Sequence, residues 1–298
     1  MKKNFLTLLL AICLILFTNG LYGGEVQVLE RGPVRVLFEP PLGAVSREVA
    51  NRYPGIMREL EGTLGWRTNL RPTVLLVSDS RRFRRMAESP LTVAFAVPSR
   101  DLIVIDYSKM KRHPFKLEDT LKHEICHLLL HEHIKEKLLP RWLDEGVCQW
   151  ASGGSVDIIM DQKRSLLNKA AFRGNFIPLS SLQRGFPRDK DSLLLAYEES
   201  ESFVEHILGR YGKEGILAVL ERMKGGEEAG TAVLRALSIP LERLEEEWHR
   251  SLRRKMTWFT YLSYHLYEIL FAFGAVITIY AFIRAMRRKR AYMNEEGE

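Results

Sequence analysis

The distribution of periodicities along the chain predicts an α+β fold. Short runs with the two-residue period of strands fill the first half of the sequence, and longer runs with helical spacing fill the second half. A long apolar run near the C-terminus has enough residues to cross a bilayer. Together these observations predict a small N-terminal sheet, a helical C-terminal half and one C-terminal transmembrane helix.

The first half is predicted to hold strands and one helix. The helix spans Ser46 to Leu64 and ends at Gly65, a common residue at a helix C-terminus. Strands are predicted within Glu25–Phe38 around a Gly32-Pro33 turn, in Pro72–Val77, and in a hairpin of Thr92–Val97 with Leu102–Asp106.

The second half is predicted to be helical. One long helix runs from Leu117 to about Lys137, and another begins at Pro140 and ends at Gly153 and Gly154. Further helices are predicted over Asp191–Tyr211, Ile216–Met223, Thr231–Ser238 and Leu241–Lys255.

The N-terminus is typical of a secretory signal. Lys2 and Lys3 precede an apolar run from Phe5 to Phe17, and small or polar residues follow up to Gly20. The apolar run is too short to span a bilayer. Residues 1–20 are therefore predicted to be a signal peptide, and residues 25–255 the exported domain.

The C-terminal apolar run, residues 258–284, is predicted to be a membrane span. Aromatic side chains crowd its first half, as at a membrane interface, and a basic cluster beginning at Arg284 follows it. Such clusters stay on the cytoplasmic side, so residues 285–298 form a short cytoplasmic tail. The domain before the span then lies on the periplasmic or extracellular side.

The formal net charge of +7 owes much to the flanks of this span. It therefore indicates membrane topology and does not favour a nucleic-acid partner. The tail is too short for a signalling domain, although it could dock a partner.

The sequence His123-Glu124-Ile125-Cys126-His127 is an HExxH motif. Histidines four apart on a helix lie one turn apart on the same face, so both can bind one Zn²⁺. Glu124 lies near that face, where it can take a proton from a water that the metal has acidified. The surrounding leucines predict a buried helix, in which imidazoles need partners.

A catalytic zinc site needs a third protein ligand, and two residues are candidates. His133 lies six residues after His127, but Leu128, Leu129 and Leu130 do not break the helix, so His133 would point away from the metal. Glu145 lies on the next helix, after a short turn, and could reach the metal if the two helices pack closely. We therefore predict Glu145 as the third ligand.

HEICH followed by PRWLDEG resembles the gluzincin metallopeptidases, particularly bacterial peptidase MA-like domains, and the core of aminopeptidase N-type enzymes. The resemblance implies a zincin-like fold, zinc bound by His123, His127 and Glu145, and Glu124 as general base. It also implies a peptide or protein substrate. All of these residues are present, which favours an enzyme over a binding or assembly module on the same fold.

The resemblance extends to the segment Leu195–Val204, which is similar to the helix that carries an oxyanion-binding tyrosine in those enzymes. It places that role on Tyr197, with an ordinary core residue as the alternative.

Two further features bear on the substrate. In zincins a substrate pairs with an edge strand beside the zinc helix, here Thr92–Val97, which could also be an ordinary sheet edge. The Gly-x-Met-Glu-Asn segment that binds the substrate's amino terminus in aminopeptidase N-type enzymes is missing. This absence favours cleavage within peptides.

Of the three cysteines, Cys13 belongs to the predicted signal, and Cys126 and Cys148 flank predicted zinc ligands. The two helices must cross closely to share one metal, so these thiols are expected to lie near each other. They could fill space in the crossing or form a disulfide in an exported protein.

Overall fold

A computed structural model of the chain describes residues 26–87, 89, 91–110, 115–153, 166–255, 262–263 and 265–295. The predicted signal, residues 1–20, lies outside the described residues. Contacts divide the chain into two units. The first contains the described residues up to Leu167 together with Phe176–Trp248, and the second contains Asn168–Asn175 and the residues from His249 onward.

The first unit begins with a five-stranded sheet in the order β1-β2-β3-β5-β4. Its strands are β1 (Gln27–Arg31), β2 (Val34–Phe38), β3 (Thr73–Val77), β4 (Ala94–Val97) and β5 (Leu102–Asp106). The three inner strands are parallel, and each edge strand is antiparallel to its neighbour. The predicted small sheet and its β4–β5 hairpin are confirmed.

The sheet is covered on both faces, so β3 is buried at every position. Leu75 and Val77 share one face with Val104 and pack around Phe83 of α2 (Ser80–Met86). The opposite face carries Val74 and alternate residues of its neighbours. Helix α1 (Gly43–Leu64) packs on β2, and the helix that carries the HExxH motif packs on β4.

The helical half supplies the remaining elements of the first unit. They are α3 (Leu117–His133), α4 (Arg141–Ser152), α5 (Leu166–Arg173), α6 (Lys190–Lys224), α7 (Ala229–Leu237) and α8 (Leu241–Lys255), of which α5 and α8 continue into the second unit. Helix α4 packs between α3 and α6. The motif-bearing helix is therefore held by α1, α4 and the edge strand β4.

Several predicted boundaries are corrected. Helix α3 ends at His133, four residues before the predicted end at Lys137, because Ile134 is extended (φ −116°, ψ 128°). The helices predicted over Asp191–Tyr211 and Ile216–Met223 form one element that is kinked at Gly212, where φ is 70°. Helices α2 and α5 were not predicted as separate elements, since both are short.

The second unit contains α9 (Leu266–Glu295). Its segment Leu266–Arg287 is long and apolar enough to cross a membrane, and no part of that segment is buried by the rest of the described protein. The predicted C-terminal apolar helix is therefore present. The beginning of the predicted span, residues 258–261, lies outside the described residues.

Candidate metal centre

Helix α3 brings His123 and His127 together inside the protein. Both side chains are buried, with residue exposures of 1% and 6%, because the leucines around them pack on neighbouring helices and the sheet. The four-residue spacing places the two Nε2 atoms 3.0 Å apart. Glu124 is also buried, with 2% of its surface exposed.

Helix α4 adds Glu145 to this pair. Its Oε2 lies 3.4 Å from His123 Nε2 and 3.6 Å from His127 Nε2. Ligand atoms about 2.0–2.1 Å from one zinc ion, at tetrahedral angles, are about 3.3 Å from one another. The spacing of these three atoms therefore suits a single tetrahedral ion with a fourth position left over.

The chemistry of the three groups also fits zinc. Glu145 Oε2 is buried without a hydrogen-bond partner, and leaving such an oxygen unpaired is costly. A cation between this oxygen and the two imidazole nitrogens satisfies all three. Two histidines and one glutamate form a donor set found in catalytic zinc sites. The residues thus fit the metal that the sequence predicted.

Asp144 orients His127 from behind. Its Oδ1 lies 2.6 Å from His127 Nδ1, so Nδ1 carries the shared proton and Nε2 faces the metal position. Burial opposes a charged imidazole, but the carboxylates of Asp144 and Glu145 outweigh burial and raise the pKa of His127 to about 10. The pocket therefore attracts positive charge strongly, and a metal ion competes with that proton.

The packing of α4 against α6 fixes where Glu145 lies. A methyl group on Gly146 would overlap the carbonyl oxygen of Ser200 and would lie 2.6 Å from Val204 Cγ2. Only glycine allows the two backbones to approach so closely. The glycine after the ligand glutamate was part of the recognised motif, but its contact with α6 was not predicted.

Tyr197 lies at the start of α6, close to this centre. It is half-buried, and its ring meets the ring of Phe186 edge-on with centroids 4.9 Å apart. Its hydroxyl accepts a hydrogen bond from Arg141, whose Nη2 lies 2.5 Å from Glu145 Oε1. The structure thus places Tyr197 one side chain away from the third ligand. Arg141 is part of the PRWLDEG motif, but the sequence assigned no role to it.

His133, the rejected ligand, lies elsewhere. Its ring packs on Trp66 with centroids 4.8 Å apart, and its Nε2 is 3.9 Å from a carboxylate oxygen of Glu132. Among the described residues it is not part of either group whose geometry could hold a metal ion.

The two cysteines lie together where α3 crosses α4, as predicted, and both are buried free thiols in the structure. Burial, and then a hydrogen bond with Cys126, raise the pKa of Cys148 well above its usual value. Cys148 also forms a second possible metal group with His127 and Asp144. We favour the group that contains Glu145, because His127 Nδ1 and Asp144 Oδ1 of the second group are already bonded to each other at 2.6 Å.

The fold and this site define a zinc metallopeptidase. The chain belongs to the Peptidase MA superfamily, whose family model matches residues 93–254. The matched part runs from the edge strand β4 through the metal-binding helices to α8.

Comparison with individual proteins adds less. No curated protein matches the chain. A mutant M1 zinc metallopeptidase from Deinococcus radiodurans, solved with a Tyr-Ser-Ala substrate, is similar at 15% identity and a TM-score of 0.36. The similarity covers 78% of this chain and 51% of that one, so the chain spans about half the length of that structure.

Proposed function

We propose that the chain is a membrane-anchored zinc-dependent endopeptidase. The observation that carries the proposal is the convergence of three buried ligand atoms, from His123, His127 and Glu145, beside the buried Glu124. Membership of the Peptidase MA superfamily supports the same reaction class.

Zinc, when bound, supplies the Lewis acidity that polarises the substrate carbonyl and acidifies a water molecule. Glu124 takes the proton from that water and delivers it to the nitrogen of the departing peptide. Its burial suits this role, because a carboxylate shielded from bulk water exchanges protons with its bound partner in preference to solvent.

Tyr197 donates its hydroxyl proton in a hydrogen bond to the oxyanion that forms as water adds to the carbonyl. Its hydrogen bond with Arg141, which in turn contacts Glu145, supports this role. To reach the substrate, the Tyr197 hydroxyl must direct its proton away from Arg141. Because the guanidinium donates to the hydroxyl oxygen, the hydroxyl proton already points away from it.

The substrate is an extended peptide that adds to the edge of the sheet. Strand β4 lies at that edge and packs beside α3. Its outward backbone groups can pair with a peptide strand across the zinc site. The sequence holds no Gly-x-Met-Glu-Asn segment to bind an amino terminus, so cleavage falls within chains.

The apolar helix α9 anchors the enzyme, and the arginines at its C-terminal end keep that end in the cytoplasm. The signal peptide exports the catalytic domain to the other side of the membrane. A reporter fused after Glu298 is then active only in the cytoplasm, and one inserted before Trp258 only outside.

The alternative is a peptide-binding or assembly module that has lost catalysis. The detergent-purified full-length chain, tested on a library of internally quenched peptides, distinguishes the two. Under our proposal the wild type cleaves, and Glu124→Gln keeps zinc and fold but loses activity by about 10²- to 10⁴-fold. No cleavage by the wild type would favour the binding module, and equal cleavage by wild type and variant would show that Glu124 is not the general base.

A further inference from the structure

Helix α4 carries an arginine that contacts two carboxylates of the metal centre. Arg141 Nη2 lies 2.5 Å from Glu145 Oε1, and its Nη1 lies 3.3 Å from Asp144 Oδ2. The other oxygen of Glu145, Oε2, faces His123 and His127. Arg141 therefore contacts one oxygen of the Glu145 carboxylate, and the other oxygen faces the metal position.

The Arg141 side chain is held in this position from several directions. It begins α4, and its backbone N–H donates to the carbonyl of Gln183 at 2.9 Å. The guanidinium carbon lies 6.0 Å from the centre of the Phe186 ring, and the guanidinium also donates to Tyr197. A planar guanidinium with several donors in a fixed fork is suited to bridging these acceptors, whereas a lysine ammonium is a compact point charge without that fixed geometry.

We propose that Arg141 is a positioning residue of the zinc centre. The proposal rests on the zinc site of the proposed function. With Oε1 bound to Arg141, Glu145 offers the metal Oε2 alone, which leaves a coordination position open for water and substrate. The guanidinium also withdraws negative charge from the ligand, so the bound ion remains a stronger Lewis acid.

The same side chain acts on a second ligand through Asp144. Asp144 Oδ1 is hydrogen-bonded to His127 Nδ1, and Asp144 Oδ2 accepts a hydrogen bond from Arg141. His131 Nε2 lies 3.3 Å from that same Oδ2. One arginine therefore orients Glu145 directly and His127 through Asp144, and it contacts Tyr197 as well.

An ordinary helix ion pair is the competing explanation, and the chain contains one with the same spacing. Arg243 of α8 lies 3.3 Å from Glu246 and 3.8 Å from Glu247, three and four residues along. The Glu246 side chain is 64% exposed, whereas the Asp144 and Glu145 side chains are only 3% and 2% exposed. Buried carboxylates depend on their partners far more than exposed ones do. Arg243 is thus a matched control.

The experiment replaces zinc with cobalt in the detergent-purified full-length chain and compares Arg141→Met, Arg141→Lys and Arg243→Met. The visible spectrum of Co²⁺ reports coordination number, and competition with a chelator gives metal affinity. Neither measurement requires catalysis, so failure of the peptidase proposal would not affect them.

In both Arg141 variants we expect a weaker, higher-coordinate cobalt spectrum and metal affinity lowered by about 10- to 100-fold. The effect should be larger in Arg141→Met, and Arg243→Met should match the wild type. The lysine variant keeps a cation at the helix start, so it also serves if the methionine variant does not fold. A folded Arg141 variant with wild-type cobalt spectrum and affinity would overturn the proposal.

Discussion

Helices α3 and α9 are both rich in apolar residues, but their surroundings differ. The HExxH helix α3 is buried from Leu121 to Leu130 apart from the half-buried Lys122, and the motif residues His123, Glu124 and His127 lie inside the protein. The apolar segment of α9 has no protein cover among the described residues. Its ionisable residues near the start, His265 and Glu268, bond to each other at 2.8 Å.

The contrast separates two reasons for an apolar helix. In α3 the apolar residues form the wall of a site, and the buried histidines need partners there. The segment Leu266–Arg287 of α9 is not buried by the described protein, and its apolar surface suits lipid. The buried polar groups of α3 therefore support its proposed function, whereas the uncovered apolar surface of α9 supports the proposed membrane anchor.

The strongest test of this contrast removes the ligands of α3 and α4. His127→Ala or Glu145→Ala should reduce bound zinc from about one ion per chain to background and abolish cleavage, because two remaining ligands hold zinc poorly. Atomic absorption of the purified chain measures zinc directly.

His133→Ala is the matched control on the same helix. It should keep zinc, since its ring packs on Trp66. Full zinc in Glu145→Ala together with lost zinc in His133→Ala would reverse the choice of third ligand.

Tyr197→Phe should lower kcat by about 10²- to 10³-fold, as for the loss of one oxyanion donor, while zinc content stays constant. Steady-state kinetics on the best library peptide gives the value. An unchanged rate would return Tyr197 to a purely structural role against Phe186.

Removal of α9 should change location alone. A chain ending at Lys255 should be recovered without detergent and should retain zinc and cleave the same peptide within about twofold, because the ligands lie on α3 and α4. Fractionation and peptide kinetics measure the two properties. Loss of zinc on removal of α9 would mean that the helix has a role inside the fold.

The smallest expected effect concerns a buried carboxylate away from the ligands. Burial raises the pKa of Glu199 to about 8; the Ile177 N–H opposes this shift, and Glu245 and Glu198 add to it. Because the folded pKa lies above the unfolded one, its contribution to stability is present below about pH 4.5 and is lost as the pH rises through about 8.

Glu199→Gln should therefore gain stability relative to wild type between pH 5 and pH 9, on the order of 4 kcal/mol. Urea unfolding of variant and wild type at both pH values, at constant zinc concentration, measures the difference in their free energies of unfolding. Glu59→Gln, on an exposed side chain, is the control and should give no such change. If the stability difference between Glu199→Gln and wild type were the same at both pH values, Glu199 would be ionised over this whole range.

The site was more predictable from the sequence than the fold around it. Helical geometry alone places His123 beside His127, so their four-residue spacing was sufficient to predict that the two imidazoles meet. Glu145 could be predicted as the third ligand because the next helix begins only a short turn later. Both inferences are local, and local geometry depends little on the rest of the chain.

Other features depend on distant contacts. The bond between Arg141 and Tyr197 joins residues on α4 and α6, and no periodicity encodes it. The kink at Gly212 depends on a positive φ at a glycine inside a segment with helical periodicity. The pattern of apolar residues carries no information about that backbone angle. Similarly, the early end of α3 at Ile134 interrupts a run with good helical composition.

The contact at Gly146 has a mechanical consequence. Because its Cα lies against the backbone of α6 at Ser200, the third ligand and Tyr197 sit on helices that cannot slide apart independently. A displacement of α6 that keeps this contact therefore moves the third ligand and Tyr197 together.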